Sequence, residues 1–320
     1  MFSRNDISHS LGWSPLLQGC LTLCSREKPG PDPLSKSASS KLRVAAINFL
    51  NPAPLMWDFE HPPLAAKLAE HYSLHYTQPS RCADELLSGR ADLGLIPIAS
   101  LTPALAVVPG CTIASLDHVR SILLLVKSGH NLSTLRTVAA DTASRSSLAY
   151  AEIIFRKFSD NHPQFIPATA DPIAMLRQAD AAILIGDPAL LALESRSAIE
   201  AEAGPCQWLD LAHEWRTRTG LPWVAAVWAV RPEALAPNGF TPASLTADLD
   251  ISRAHGLANI DRIVEEWTPR IPLLPESIRN YLTQNIHYTL NDDCLRTIRL
   301  FRQYAAEVEV LPPLPSPRFL

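Results

Sequence analysis

Several short stretches of this chain carry side chains able to bind or transform a small molecule. Asn51 stands in Asn48-Phe49-Leu50-Asn51-Pro52-Ala53-Pro54, directly after the apolar run Leu42–Ile47. An amide at the carboxyl end of a first strand faces the crevice where α/β sheets hold ligands; before proline it also suits a plain turn. Asp117-His118-Val119-Arg120-Ser121 feeds a second apolar run, Ile122–Val126, as a hinge between two lobes would. Ser121 there serves either a ligand or a strand-end backbone group. In Asp141-Thr142-Ala143-Ser144-Arg145-Ser146-Ser147, four hydroxyls and one guanidinium fall where a strand gives way to a helix. Unpaired N–H groups and the dipole at a helix start favour an anion, and arginine grips a carboxylate with two bonds. N-capping by Thr142 or Ser144 is the plainer use, but it needs one hydroxyl and no arginine, so the stretch reads as an anion site. Ile185-Gly186-Asp187-Pro188 repeats the junction. Gly186 lets the backbone approach a ligand closely, and Asp187 caps a helix opened by Pro188.

Other patterns exclude chemistry. The chain has no Gly-x-Ser-x-Gly elbow, no His-Glu-x-x-His and no dinucleotide fingerprint, so serine hydrolase, zinc peptidase and nicotinamide enzyme lack support. His213-Glu214-Trp215-Arg216 reads as the solvated face of an amphipathic helix. The six cysteines are scattered: Cys20, Cys24, Cys82, Cys111, Cys206 and Cys294. Cys20 and Cys24 have three residues between them but no nearby His or second Cys pair, so buried or incidental thiols in a reducing compartment are expected rather than a zinc site. Leu17-Gln18-Gly19-Cys20 resembles a lipoprotein cleavage box, yet Met1–Leu16 lacks the apolar stretch of a signal peptide. No apolar run approaches the roughly 18–20 residues of a membrane helix. With 28 basic and 32 acidic residues among 320, the net charge of −4 disfavours nucleic acid.

The elements that must hold these residues alternate between strand and helix. Residues 1–41 read as a disordered or linker extension, rich in Ser, Pro and charge from Ser25 to Lys41. Strands and helices then alternate from Leu42, and alternation restarts at Thr137. Beyond Pro232 only helices follow, at Leu245–Trp267, Pro275–Thr283 and Asp292–Glu307, before a Pro-rich tail at 308–320. Alternating βα units imply mostly parallel sheets. Residues 42–136 and 223–307 are expected in one lobe and 137–222 in the other, with crossings near Val119–Arg136 and Trp223–Arg231. The stretch from Leu86 to Pro97, a helix stopped at Gly89 and then Arg90-Ala91-Asp92 leading into a strand, resembles the bilobed solute-binding fold. Asp92 opens that strand or pairs with Arg90.

Several motifs in order make the resemblance more specific. They are Ile47–Pro54, Pro79-Ser80-Arg81-Cys82-Ala83-Asp84, Gly94-Leu95-Ile96-Pro97, Val119-Arg120-Ser121, Asp141–Ser147, Leu184–Pro188, Glu214-Trp215-Arg216 and Tyr281-Leu282-Thr283-Gln284-Asn285-Ile286-His287-Tyr288. Together, from about Leu42 to Glu307, they resemble the chorismate dehydratase family of the futalosine route to menaquinone. The resemblance implies a cytoplasmic lyase with the two-lobed periplasmic-binding-protein type II fold. It would need no cofactor and no metal, and it would convert chorismate to 3-[(1-carboxyvinyl)oxy]benzoate. It implies Asn51 and Ser121 as catalytic residues. Substrate contacts are expected from Arg120, Thr142, Ser144, Arg145, Ser146, Ser147, Gly186 and Asp187. Phe49 stands where the family often has tyrosine and Ala143 where it often has serine. No His or Glu in these motifs is an evident base, so the enolpyruvyl carboxylate of the substrate itself is expected to take the proton. The expected partner is the small-molecule substrate alone, bound by a monomer or homodimer without nucleic acid or membrane. The other reading is a non-catalytic solute-binding protein for an aromatic carboxylate.

Overall fold

Two mixed sheets organise residues 41–141 and 145–320, the part of the chain that the computed structural model describes. Residues 1–40, with Cys20 and Cys24, lie outside the described residues, as do Thr142, Ala143 and Ser144. In chain order the strands are β1 (Leu42–Ile47), β2 (Tyr72–Thr77), β3 (Leu93–Pro97), β4 (Ala106–Ser115), β5 (Ile122–Lys127), β6 (Thr137–Asp141), β7 (Gln164–Ala168), β8 (Ala181–Ile185), β9 (Cys206–Asp210), β10 (Trp223–Val230), β11 (His287–Thr289) and β12 (Arg318–Phe319). The first sheet runs β11-β4-β10-β3-β1-β2 with β12 beside β4, and the second runs β7-β6-β8-β5-β9. β1, β3, β5 and β8 are near-continuous apolar runs because helices or loops cover both of their faces.

The sheets are mixed, not mostly parallel. β1 pairs in parallel with β2 and β3, and β6 with β7 and β8. In each sheet, however, a strand belonging to a connection between the lobes runs against its two neighbours, and in the first sheet the edge strand β11 also runs against β4. β10 lies antiparallel between β3 and β4, and β5 lies antiparallel between β8 and β9. A strand that enters a lobe from its partner arrives from the opposite end to the βα strands, so it must run the other way. The pairing also moves a boundary: Ile122–Lys127 is bonded along its length within the second sheet, so the segment 122–136, expected in the first lobe, sits with the second. The chain leaves the first sheet through residues 116–121 and returns through helix Leu211–Thr219 to β10.

Three further elements depart from the sequence reading. The long C-terminal helix is two, Pro242–Ala258 and Ile260–Trp267, broken at Asn259. Helix Pro275–Asn280 passes into a π turn, Tyr281–Asn285, that carries Tyr281 inward. The Pro-rich tail is docked: Val310 and Leu311 are buried, and Arg318 and Phe319 pair with Ala106 and Val107.

One apolar cluster runs through both lobes. Tyr150, in helix Arg145–Phe158, stacks on Trp223 at 3.7 Å, and its hydroxyl donates to the Val224 carbonyl at 3.2 Å. This contact fixes the start of that helix against β10. The turn after β1 is held from the other side. Ser252 Oγ donates to the Leu55 carbonyl at 2.9 Å, and a Cβ at Gly256 would lie 2.0 Å from the Pro54 carbonyl oxygen. Only glycine permits helix Pro242–Ala258 to press so closely on the Pro52–Pro54 turn that presents Asn51.

Candidate functional site

A cavity opens between the two sheets, at the ends of their strands. Its polar lining comes from both lobes: Asn51, Ser121, Ser147 and Gly186. Apolar walls are supplied by Phe49, Ile113, Ile185, Trp223 and their neighbours, and among the described lining residues none is charged.

Asn51 and Ser121 meet through a residue from the far end of the chain. The Tyr281 hydroxyl donates to Ser121 Oγ at 2.8 Å, and the Asn51 side chain lies beside the same phenol. Its neighbour in the same motif, Tyr288, donates to the Asn51 carbonyl at 3.0 Å. Burial pushes the Tyr281 phenol well above its ordinary pKa, so it stays protonated and keeps its O–H. The phenol hydrogen goes to Ser121. The hydrogen of Ser121 is then left for whatever enters the cavity. The Ser121 carbonyl accepts from Gly186 N–H at 2.7 Å, so the main chain at this strand end is joined to the second-lobe junction, while the side chain bonds Tyr281.

The second-lobe junctions behave differently. Gly186 has φ 63°, and a Cβ there would lie 2.9 Å from the Phe49 ring, so glycine is required where the two lobes touch. Asp187 reaches across the cleft and accepts from Leu50 N–H at 3.2 Å. No capping bond of its side chain to its own helix is seen, which corrects the expected cap. Burial pushes its carboxyl up to about 6, the Leu50 hydrogen bond opposing only part of that shift. Ser147 lines the cavity, while Ser146 Oγ is committed to Ala99 N–H at 3.2 Å.

Arg145 is not presented to the cavity. Its guanidinium is buried and paired with Asp84 at 2.8 Å, joining the second-lobe helix to helix Pro79–Leu87 of the first. The carboxylate it grips belongs to the protein. Arg120 also faces elsewhere: its backbone has φ 61°, its N–H donates to Asp210 at 2.6 Å, and its side chain lies 3.8 Å from Glu194 on the outer surface. Thr142 and Ser144 fall outside the described residues. Asp92 bonds Arg43 at 2.6 and 2.8 Å and lies 3.8 Å from Arg231, rather than pairing with Arg90. Tyr281 is the residue that motif reading quoted without assigning a role.

Solved structures with this architecture include a protein from Archaeoglobus fulgidus, with a TM-score of 0.64 at 15% identity over 84% of this chain and 97% of that one. The periplasmic aliphatic sulphonate-binding protein of Escherichia coli matches with a TM-score of 0.58 at 15% identity, covering 88% of this chain and 93% of its own. A Candida albicans protein described as having the generic periplasmic-binding-protein fold matches equally, with a TM-score of 0.58 at 12% identity over 88% and 98% of the two chains. The fold is therefore of the periplasmic-binding-protein type. Among curated proteins, the chorismate dehydratase of Thermus thermophilus is 27% identical over 234 residues, 70% of this chain and 83% of that protein. The model of a family described as menaquinone biosynthesis matches residues 42–307, which span both sheets and every described polar residue of the cavity, and the chain belongs to that family.

Proposed function

We propose that the protein is a chorismate dehydratase, eliminating water from chorismate to give 3-[(1-carboxyvinyl)oxy]benzoate for the futalosine route to menaquinone. The observation that carries this reading is that Asn51 and Ser121 line one cavity between the sheets, with the buried Tyr281 hydroxyl donating to Ser121 beside it. In the elimination, the ring carbon bearing the enolpyruvyl ether loses its proton and the neighbouring carbon loses hydroxide. The proton and hydroxide leave as water, and the ring becomes aromatic. The reaction has no net oxidation, and aromatisation drives it, so the protein's work is to hold one conformer and stabilise the departing oxygen.

The roles follow from hydrogen-bond direction. Ser121, its oxygen already receiving the Tyr281 hydrogen, donates its own hydrogen to the leaving hydroxyl. Asn51 orients the ring from the opposite lobe. With no charged side chain among the described lining residues, the enolpyruvyl carboxylate of the substrate takes the ring proton. The start of helix Arg145–Phe158, at the cavity through Ser147, offers its positive end to a carboxylate. Arg145 reinforces that end electrostatically and by tying it to Asp84.

Incubating the purified protein with chorismate alone and following the products by chromatography tests this. One equivalent of the enolpyruvyl benzoate, without added metal or nucleotide, is the expected result. Saturable binding of chorismate without turnover would replace the reading by that of a solute-binding protein.

A further inference from the structure

Away from the cavity, the two connections between the lobes meet at a group of side chains suited to a different ligand. Asp117 and His118 lie on the outgoing connection, 116–121, and His213 on the returning helix Leu211–Thr219. Asp117 Oδ1 is 2.6 Å from His213 Nδ1, and Asp117 Oδ2 is 3.0 Å from His118 Nδ1. The two imidazoles stack with centroids 4.1 Å apart and planes 21° from parallel. One ligand atom from each residue falls within a span of 4.8 Å. A merely solvated surface would let the two rings turn apart to water. Here both converge on one carboxylate across 96 residues of sequence.

We propose that Asp117, His118 and His213 bind a divalent transition-metal ion of the zinc class, which clasps the two interlobe connections together. Two imidazole nitrogens and one carboxylate oxygen are a donor set that such ions accept, at about 2.0–2.2 Å per bond. Tetrahedral donors at that bond length lie roughly 3.3 Å apart, so small side-chain rotations make room for the ion. Each imidazole binds as the neutral ring with its proton on Nε2. A fourth position faces the outer pocket that the two histidines line with Arg120 and Arg196.

The ion's effect would be mechanical, because the cluster does not touch the cavity. His118 stands three positions before Ser121, and Arg120 between them holds a left-handed φ of 61°. Asp210 fastens both connections, accepting from Arg120 N–H at 2.6 Å and from Ala212 and His213 N–H at 3.0 and 3.3 Å. The His118 carbonyl accepts from Asn285, at the end of the turn that carries Tyr281. An ion joining His118 to His213 therefore stiffens the segment that sets Ser121, whatever the substrate.

The test uses the full chain, stripped of metal. Cobalt(II) should bind at one equivalent with the visible ligand-field absorption of a low-coordinate nitrogen–oxygen site, and zinc should displace it. Saturating zinc should raise the melting temperature by several degrees through binding to the native state alone. His118→Gln and His213→Gln should each weaken this binding by about 100-fold or more while leaving the metal-free melting temperature within a degree or two. Metal binding that persists unchanged in both variants would place the ion elsewhere, for instance on cysteines, and overturn the proposal. So would the absence of cobalt or zinc binding at millimolar concentration.

Discussion

The two walls of the cleft hold their polar groups in opposite ways. On the side where Asn51 and Ser121 line the cavity, the Tyr281 hydroxyl donates to Ser121, which leaves the Ser121 hydrogen to face the cavity. On the side where helix Arg145–Phe158 begins, the strongest donor is consumed internally by Asp84, and Ser146 is consumed by the Ala99 amide. In the proposed reaction the first wall acts on the substrate. The second is built largely to hold the lobes together, offering a ligand its helix terminus rather than its cation. A residue's type states what it can bind; its partners decide whether that capacity remains available.

The sharpest way to break this comparison is to remove the presented donors. Ser121→Ala and Asn51→Ala should each lower kcat by about 10²–10³ with little change in KM, by the scale of losing one preorganised donor at a developing charge. The two residues would act on one substrate geometry, so the double variant should cost less than the product of the single losses. A folded Ser121→Ala protein with unaltered kcat would remove Ser121 from the chemistry.

Arg145→Leu probes the opposite wall and should act mainly through stability. It leaves Asp84 without its partner, and breaking a partly buried pair typically costs about 1–3 kcal/mol, several degrees in melting temperature. A KM for chorismate raised tenfold with stability unchanged would show instead that the guanidinium leaves Asp84 and binds substrate.

Tyr281→Phe sharpens the first wall with a smaller effect. It keeps the ring but removes the hydrogen given to Ser121, so Ser121 is free to turn away from the departing hydroxyl. A loss of about tenfold in kcat, with KM little changed, is expected for one hydrogen bond of ordinary strength. If kcat is unaltered in a folded variant, Tyr281 is packing alone.

Much of the cleft was legible from local sequence. Asn51, Ser121, Ser147 and Gly186 fall at strand ends or helix starts, where βα geometry gathers side chains, and they line one cavity. What stayed hidden depends on distant pairing. Tyr281 reaches Ser121 across 160 residues from a π turn, and a tyrosine after an amphipathic helix is more often core. Arg145 finds Asp84 across 61 residues, and nothing near either predicts the match. Ile122–Val126 is apolar enough for the centre of either sheet, so composition alone could not assign β5 to the second lobe. The tail reads from sequence only as Pro-rich, yet Val310 and Leu311 are buried and dock it.

The last test concerns the contact where the walls meet. Asp187 extends from the second lobe to the Leu50 amide, and burial raises its carboxyl to about 6. In the unfolded chain an aspartate titrates near 3.9. The folded state therefore binds the proton more tightly, and the stabilisation present below about pH 4 is lost as pH rises through 6. Asp187→Asn keeps an acceptor for Leu50 N–H but cannot ionise. It should match the wild type in melting temperature near pH 4 and exceed it near pH 7. With Asp187 in partial contact with solvent, the gap should be on the order of 1 kcal/mol. The same substitution removes a negative charge beside a cavity proposed to take a dianion, so KM for chorismate at pH 7 should fall modestly and lose its inflection near pH 6. Parallel melting curves from pH 4 to 8 decide the matter. A variant that tracks the wild type throughout would mean that Asp187 is already ionised at low pH, and that the lobes meet through a solvated contact.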